Sequence, residues 1–153
     1  MAHAQIVSAF EGKRDLVTPD LTIINWQELD YLGWIDPSGH RGYVVLQSPN
    51  TGEVCGITMN RSRRESRKLR MEMCSWCYYV HKGNGTAMFT VMVKGSEGRH
   101  ILGNAICKNL DCSLRIRNLV DPENFMEESL YEPAKIWRMQ QQMHKWLARA
   151  NQI

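Results

Sequence analysis

The chain has 153 residues, 43% of them hydrophobic and 23% charged, with a net charge of +3. That suffices for one domain with a core, and such ordinary usage excludes wholesale disorder. No stretch approaches the ~18 apolar residues that span a bilayer, and residues 1–7 lack the basic and apolar regions of a signal peptide.

In chain order, residues 7–10 are expected to form a short helical turn and 17–21 a loop. The spacing of Trp26, Leu29, Leu32 and Trp34 predicts a helical turn over 26–32 that ends near Gly33. Asp36-Pro37-Ser38-Gly39 is a turn signal. Residues 42–47 and 53–59 are rich in β-formers and flank a Ser-Pro-Asn-Thr-Gly turn, which predicts a hairpin. Cys55, in the return strand, reads as a buried, inert core thiol. Segment 61–70 then carries six cations and one acid, a local charge of +5 against −2 for the remainder.

Residues 73–80 hold Cys74 and Cys77. Residues 87–93 and 101–106 read as strands separated by a Lys-Gly-Ser-Glu-Gly turn at 94–98. Cys107 and Cys112 open a helix with Asn109 as its N-cap, and Cys112 falls in a first turn whose positive end favours a thiolate. Residues 123–132 are acidic. Pro133 then suits the start of a helix, whose Ile136, Met139, Met143, Trp146, Leu147 and Ala150 form one apolar stripe. That stripe is expected to dock on the domain's own core.

The two cysteine pairs organise the chain. A C-x2-C turn presents two sulfurs about one tetrahedral edge apart, and a second pair completes a structural zinc shell. Cys74, Cys77, Cys107 and Cys112 are therefore the expected ligands of one Zn2+. With four sulfurs bound, no position remains for a reacting water, so the site builds shape and does not catalyse. The order is knuckle, then 29 residues able to form a hairpin, then a second pair at a helix start. This is the layout of a treble-clef finger, with its core at 70–118. A redox C-x-x-C needs no second pair 30 residues later. Four thiolates and a dication bring the net charge from +3 to +1, so global charge gives little support for nucleic-acid binding.

Lys82, Lys108, Arg115 and Arg117 lie near the finger and can neutralise the −2 of a tetrathiolate centre. The histidines His3, His40, His81, His100 and His144 form no ligand pair; His81 follows Cys77 closely enough to donate to the centre without being a ligand. No phosphate-binding loop, nucleophile elbow or acid–base pair is present, so no catalytic constellation is expected.

Three segments together resemble one family. They are Leu32-Gly-Trp-Ile-Asp-Pro37, the knuckle Cys74-Ser-Trp-Cys77, and residues 105–114, Ala-Ile-Cys-Lys-Asn-Leu-Asp-Cys-Ser-Leu. The pattern is similar to the FBP-type treble-clef zinc finger, the C-terminal zinc domain of elongation factor G-binding proteins that include the fusidic acid resistance proteins. The resemblance runs from about residue 5 to 120. It implies an α+β fold: a treble clef with an N-terminal β-hairpin region at 1–120, and a C-terminal amphipathic helix at 121–153 packed on it. It also implies a cytoplasmic, non-enzymatic module that binds elongation factor G and helps it leave the ribosome. The chain has no room for the long helical N-terminal domain of the full-length resistance proteins and looks like a stand-alone form.

Candidate contacts to the factor are Lys94, Arg99, His100 and Leu102 on the second hairpin and Arg115 and Arg117 on the finger helix. The alternative is ribosomal RNA binding through Arg61, Arg63, Arg64, Arg67, Lys68 and Arg70. Such a charge run also reads as an ordinary solvated face.

Overall fold

A computed structural model describes residues 3–10, 16–62, 70–120, 126 and 128–153. Among these described residues, seven strands and three α-helices follow in the order α1 (His3–Ser8), β1 (Leu32–Ile35), β2 (Arg41–Gln47), β3 (Val54–Ser62), β4 (Met71–Met73), β5 (Val80–Lys82), β6 (Thr86–Met92), β7 (Ile101–Cys107), α2 (Cys112–Ile116) and α3 (Glu132–Arg149). β1-β2-β3-β6-β7 form one antiparallel sheet and β4-β5 a separate two-stranded one.

β2 explains the layering. Five consecutive residues from Gly42 to Leu46 are buried, so both faces of this strand are covered. Tyr43 and Val45 face one way and pack with Ile6 and Phe10 of the N-terminal segment and with Leu32 and Trp34 of β1. Phe10, Trp34 and Tyr43 meet ring to ring, with centroids 5.3–5.7 Å apart. Val44 and Leu46 face the opposite way, into a larger cluster. That cluster holds Ile57, Met59, Phe89, Ile106, all four paired cysteines, and Met139, Met143, Trp146 and Leu147 of α3. The cysteines and the last helix thus share one core on the far side of the sheet from α1.

Both expected hairpins form, and β3 runs three residues past its expected end at 59. Two expectations give way. Residues 26–28 make only a 3-10 turn, and Leu32–Ile35 is a strand. The cause is tertiary: Leu32 pairs with Val45 and Trp34 with Tyr43, and the alternate residues Leu32 and Trp34 are buried. The finger helix starts at Cys112, with its N-cap at Asp111 and not at Asn109. Leu110 adopts φ 58°, a left-handed kink no helix can contain, so Asp111 takes the N-terminal position.

The expected helix forms over 18 residues, with Met139, Met143, Trp146 and Leu147 of its stripe buried and Ile136 half-buried. Cys55 is half-buried at the edge of the core, and its Sγ lies 3.8 Å from the Glu53 carbonyl. Among the described residues, no helix is long and apolar enough to cross a membrane.

Candidate metal centre

Two tight backbone turns deliver the four sulfurs. In the first, Tyr78 N–H donates to the Cys74 carbonyl at 2.9 Å, and Tyr78 takes φ 61° to let the chain reverse. Ser75 N–H then donates to the Ala105 carbonyl at 2.8 Å, which fastens this knuckle to β7. In the second, Cys107 ends β7, Leu110 N–H returns to the Cys107 carbonyl at 2.9 Å, and Cys112 begins α2. Gly33 of β1 supports the second turn from below. A Cβ there would lie 2.7 Å from Leu110 Cβ and 2.8 Å from its carbonyl oxygen, so only glycine lets β1 pass so close.

The four sulfurs are buried and lie within 4.8 Å of one another. Cys74 Sγ is 3.7 Å from Cys112 Sγ, and Cys77 Sγ is 3.6 Å from Cys107 Sγ. A disulfide would bring two sulfurs to about 2 Å. A zinc ion with Zn–S bonds of about 2.3 Å separates its ligands by about 3.8 Å. The observed edges match the second geometry, so these four cysteines, and no other cluster among the described residues, can hold one zinc ion. Burial pushes the Cys112 thiol well above its ordinary pKa. A bound dication is what makes four buried thiolates tolerable there.

The polypeptide turns donors toward the sulfurs. Trp76 N–H and Cys107 N–H each point at Cys74 Sγ at 3.4 Å. Tyr31 is buried; burial first, and the nearby Cys112 sulfur second, hold its phenol well above the ordinary value of 10. It therefore keeps its proton, and its oxygen accepts from Cys112 N–H at 3.3 Å. Its ring meets Trp76 edge-on at 5.5 Å, and Trp76 in turn meets Trp146 of α3 at 5.8 Å. Zinc ligands, N-terminal segment and last helix are locked by one aromatic row.

Asp30 joins the same three parts by polar contacts. Its carboxylate accepts from Arg117 Nη1 at 2.7 Å and from Gln140 Nε2 at 2.8 Å, and its backbone N–H donates to Ser113 Oγ at 3.2 Å. Asp30 and Tyr31 were not among the candidate residues. Their hydrogen-bond partners lie more than 80 residues away in sequence, beyond any local pattern.

The remaining candidates separate by place. Arg117 is tied to Asp30, and Arg115 to Asp111 at 3.0 Å, so both guanidinium groups are engaged within the fold. Lys94, Arg99 and His100 are exposed together at the β6–β7 tip, and Leu102 is half-buried below it. Arg61 is buried; its Nε donates to the Lys108 carbonyl at 3.0 Å and its Nη1 to the Gly39 carbonyl at 2.9 Å. Its charge serves the fold, whereas Arg70 is exposed. Arg63, Arg64, Arg67 and Lys68 lie outside the described residues.

The model of the FBP C-terminal treble-clef zinc-finger family matches residues 3–150. The chain belongs to this family. The match includes α3, which the resemblance carried by the cysteine segments alone did not reach. Among solved structures, the chain is similar to that of the fusidic acid resistance protein FusC, with 23% identity and a TM-score of 0.59. The likeness covers 93% of this chain and 58% of FusC, and at this identity it speaks for the fold. No curated protein matches.

Proposed function

We propose that this FBP-family chain is a zinc-stabilised binding module of the translation machinery. It binds elongation factor G and promotes the factor's release from the ribosome, in the cytoplasm and without catalysis of its own. The observation that carries the reading is the enclosed four-sulfur centre in a chain of the FBP treble-clef family, which the sequence resemblance links to elongation factor G-binding proteins. A metal with all four positions filled by buried sulfur has nothing to offer a substrate. Its work is to hold an outer surface in shape.

The β6–β7 tip is the contact surface we favour. Lys94, Arg99 and His100 are exposed there, beside the cross-strand pair Met92 and Ile101, each more than half exposed. Arg99 is paired with Glu97 at 2.7 Å in full solvent, a contact that a partner carboxylate can exchange at little cost. Leu102 supports the tip from beneath, whereas Arg115 and Arg117 act by holding α2 in place.

The test is a pull-down of purified elongation factor G by the zinc-loaded chain at micromolar concentration, with Lys94→Glu/Arg99→Glu as control. The reading requires a complex that the double substitution weakens. If the wild-type chain captures no factor, the reading fails. Retention on ribosomes alone, falling about one log unit per phosphate contact with log salt, would favour the RNA reading through Arg70 and its basic neighbours.

A further inference from the structure

The imidazole of His81 is a metal-ligating side chain that lies beside the centre without being part of it. His81 lies on β5 and is fully buried. Its Nε2 is 3.3 Å from Cys107 Sγ. Among the described residues, the ligating atoms that crowd within 4.8 Å of one another are the four sulfurs, so the ring stands outside that set and against Cys107. A zinc-bound Cys107 is a thiolate, which can only accept; the nitrogen facing it must carry the proton and donate.

The surroundings fix that ring closely. An added Cβ at Gly85 would lie 2.2 Å from His81 Cγ and Nδ1, so the imidazole lies against bare backbone that any other residue would fill. The Gly85 carbonyl accepts from Lys108 N–H at 3.0 Å, which ties this cradle to the residue after Cys107. On the other side the ring meets Tyr79, with centroids 4.8 Å apart, and Arg115 caps Tyr79 at 5.1 Å. The Glu72 carboxylate on β4, paired with His81 across the small sheet, accepts from Thr86 N–H and Oγ1–H at 3.0 and 2.9 Å, which anchors this sheet to β6.

The geometry points to His81 as a positioning residue for the metal centre: its Nε2–H holds the Cys107 thiolate and governs how readily that sulfur lets the metal go. Cys74 receives two backbone N–H groups. His81 fills the corresponding place for Cys107. An N–H donor withdraws charge from a thiolate and makes it a poorer target for protons and competing ligands.

Two polar substitutions separate donation from packing. Gln places an amide N–H where Nε2 stands, whereas Asn reaches only the position of Nδ1. The readouts are zinc transfer to excess chelator, followed with a zinc indicator, and the sulfur-to-metal charge-transfer band of the cobalt-loaded protein. His81→Gln is expected to stay within a few-fold of wild type. His81→Asn is expected to release zinc about 10-fold faster or more, with the cobalt band moved to longer wavelength. Gly85→Ala keeps the imidazole but drives it from its seat, and is expected to follow the Asn variant. Equal release from the Gln and Asn variants, whether slow or fast, overturns the assignment, as does a cobalt band that neither substitution moves.

Discussion

Asp30 offers the sharpest quantitative test of how the finger is held. Its side chain is 5% exposed and that of Arg117 15%, so the pair is largely removed from solvent screening. Asp30→Ala deletes the acceptor of Arg117 and of Gln140 together, and leaves the guanidinium with the Ser113 carbonyl at 3.0 Å as its remaining acceptor. Breaking one side of a buried ion pair costs about 3–5 kcal/mol, because the surviving charge stays buried. The Ser113 contact offsets part of that, so about 3 kcal/mol is expected, or roughly a 10 °C fall in Tm for a chain of this size. Arg117→Met alone leaves a buried carboxylate with only Gln140 and should cost a similar amount. The double substitution removes both charges, and is expected to recover most of one single loss, with a coupling above ~1.5 kcal/mol. The assay is urea denaturation of the zinc-loaded proteins at neutral pH. A single-variant loss below ~1 kcal/mol, or additive losses, would refute the view that this pair clamps α2 to the N-terminal segment and α3.

Gly33→Ala forces a Cβ against Leu110 backbone, and should cost about 1–3 kcal/mol or more and speed zinc release, since Leu110 lies between two ligands; differential scanning calorimetry with a chelator assay checks both. Leu147 of α3 is fully buried, so Leu147→Ala is expected to cost about 3 kcal/mol. Because Leu147 shares its cluster with the cysteines, one cooperative transition should shift as a whole; a separate early transition for α3 would contradict the shared core. Glu128 is held below its ordinary 4.5, chiefly by the hydrogen bond from Arg138. A depressed folded value adds stability that is complete above 4.5 and is lost as pH falls through the folded value. Glu128→Gln should therefore flatten only the acid limb of stability measured from about pH 6 down to 3.5, by less than ~1 kcal/mol because the carboxylate is 41% exposed.

The cysteine set, both long hairpins and the last helix were legible because each rests on a local signal. Fixed sulfur spacing, β-rich runs around a turn, and a 3.6-residue stripe all survive without knowledge of the fold. Leu32–Ile35 was not legible as a strand, since what makes it one is pairing with Val45 and Tyr43. The finger helix was expected two residues early because nothing in Asn109-Leu110-Asp111 announces a left-handed Leu110. Arg61 opens a run of cations that reads as a solvated face, yet it pairs with Phe89 across β3 and β6 and turns its head group inward. The polar supports of the centre, Asp30 and Tyr31, depend on partners from α2 and α3 and had no sequence signature at all.

The most direct measurement is X-ray absorption at the zinc edge of the purified chain, with metal content determined on the same sample. One zinc per chain surrounded by four sulfurs at about 2.3 Å is the predicted result. Nitrogen or oxygen neighbours in that first sphere, or a folded chain that carries no zinc, would contradict it.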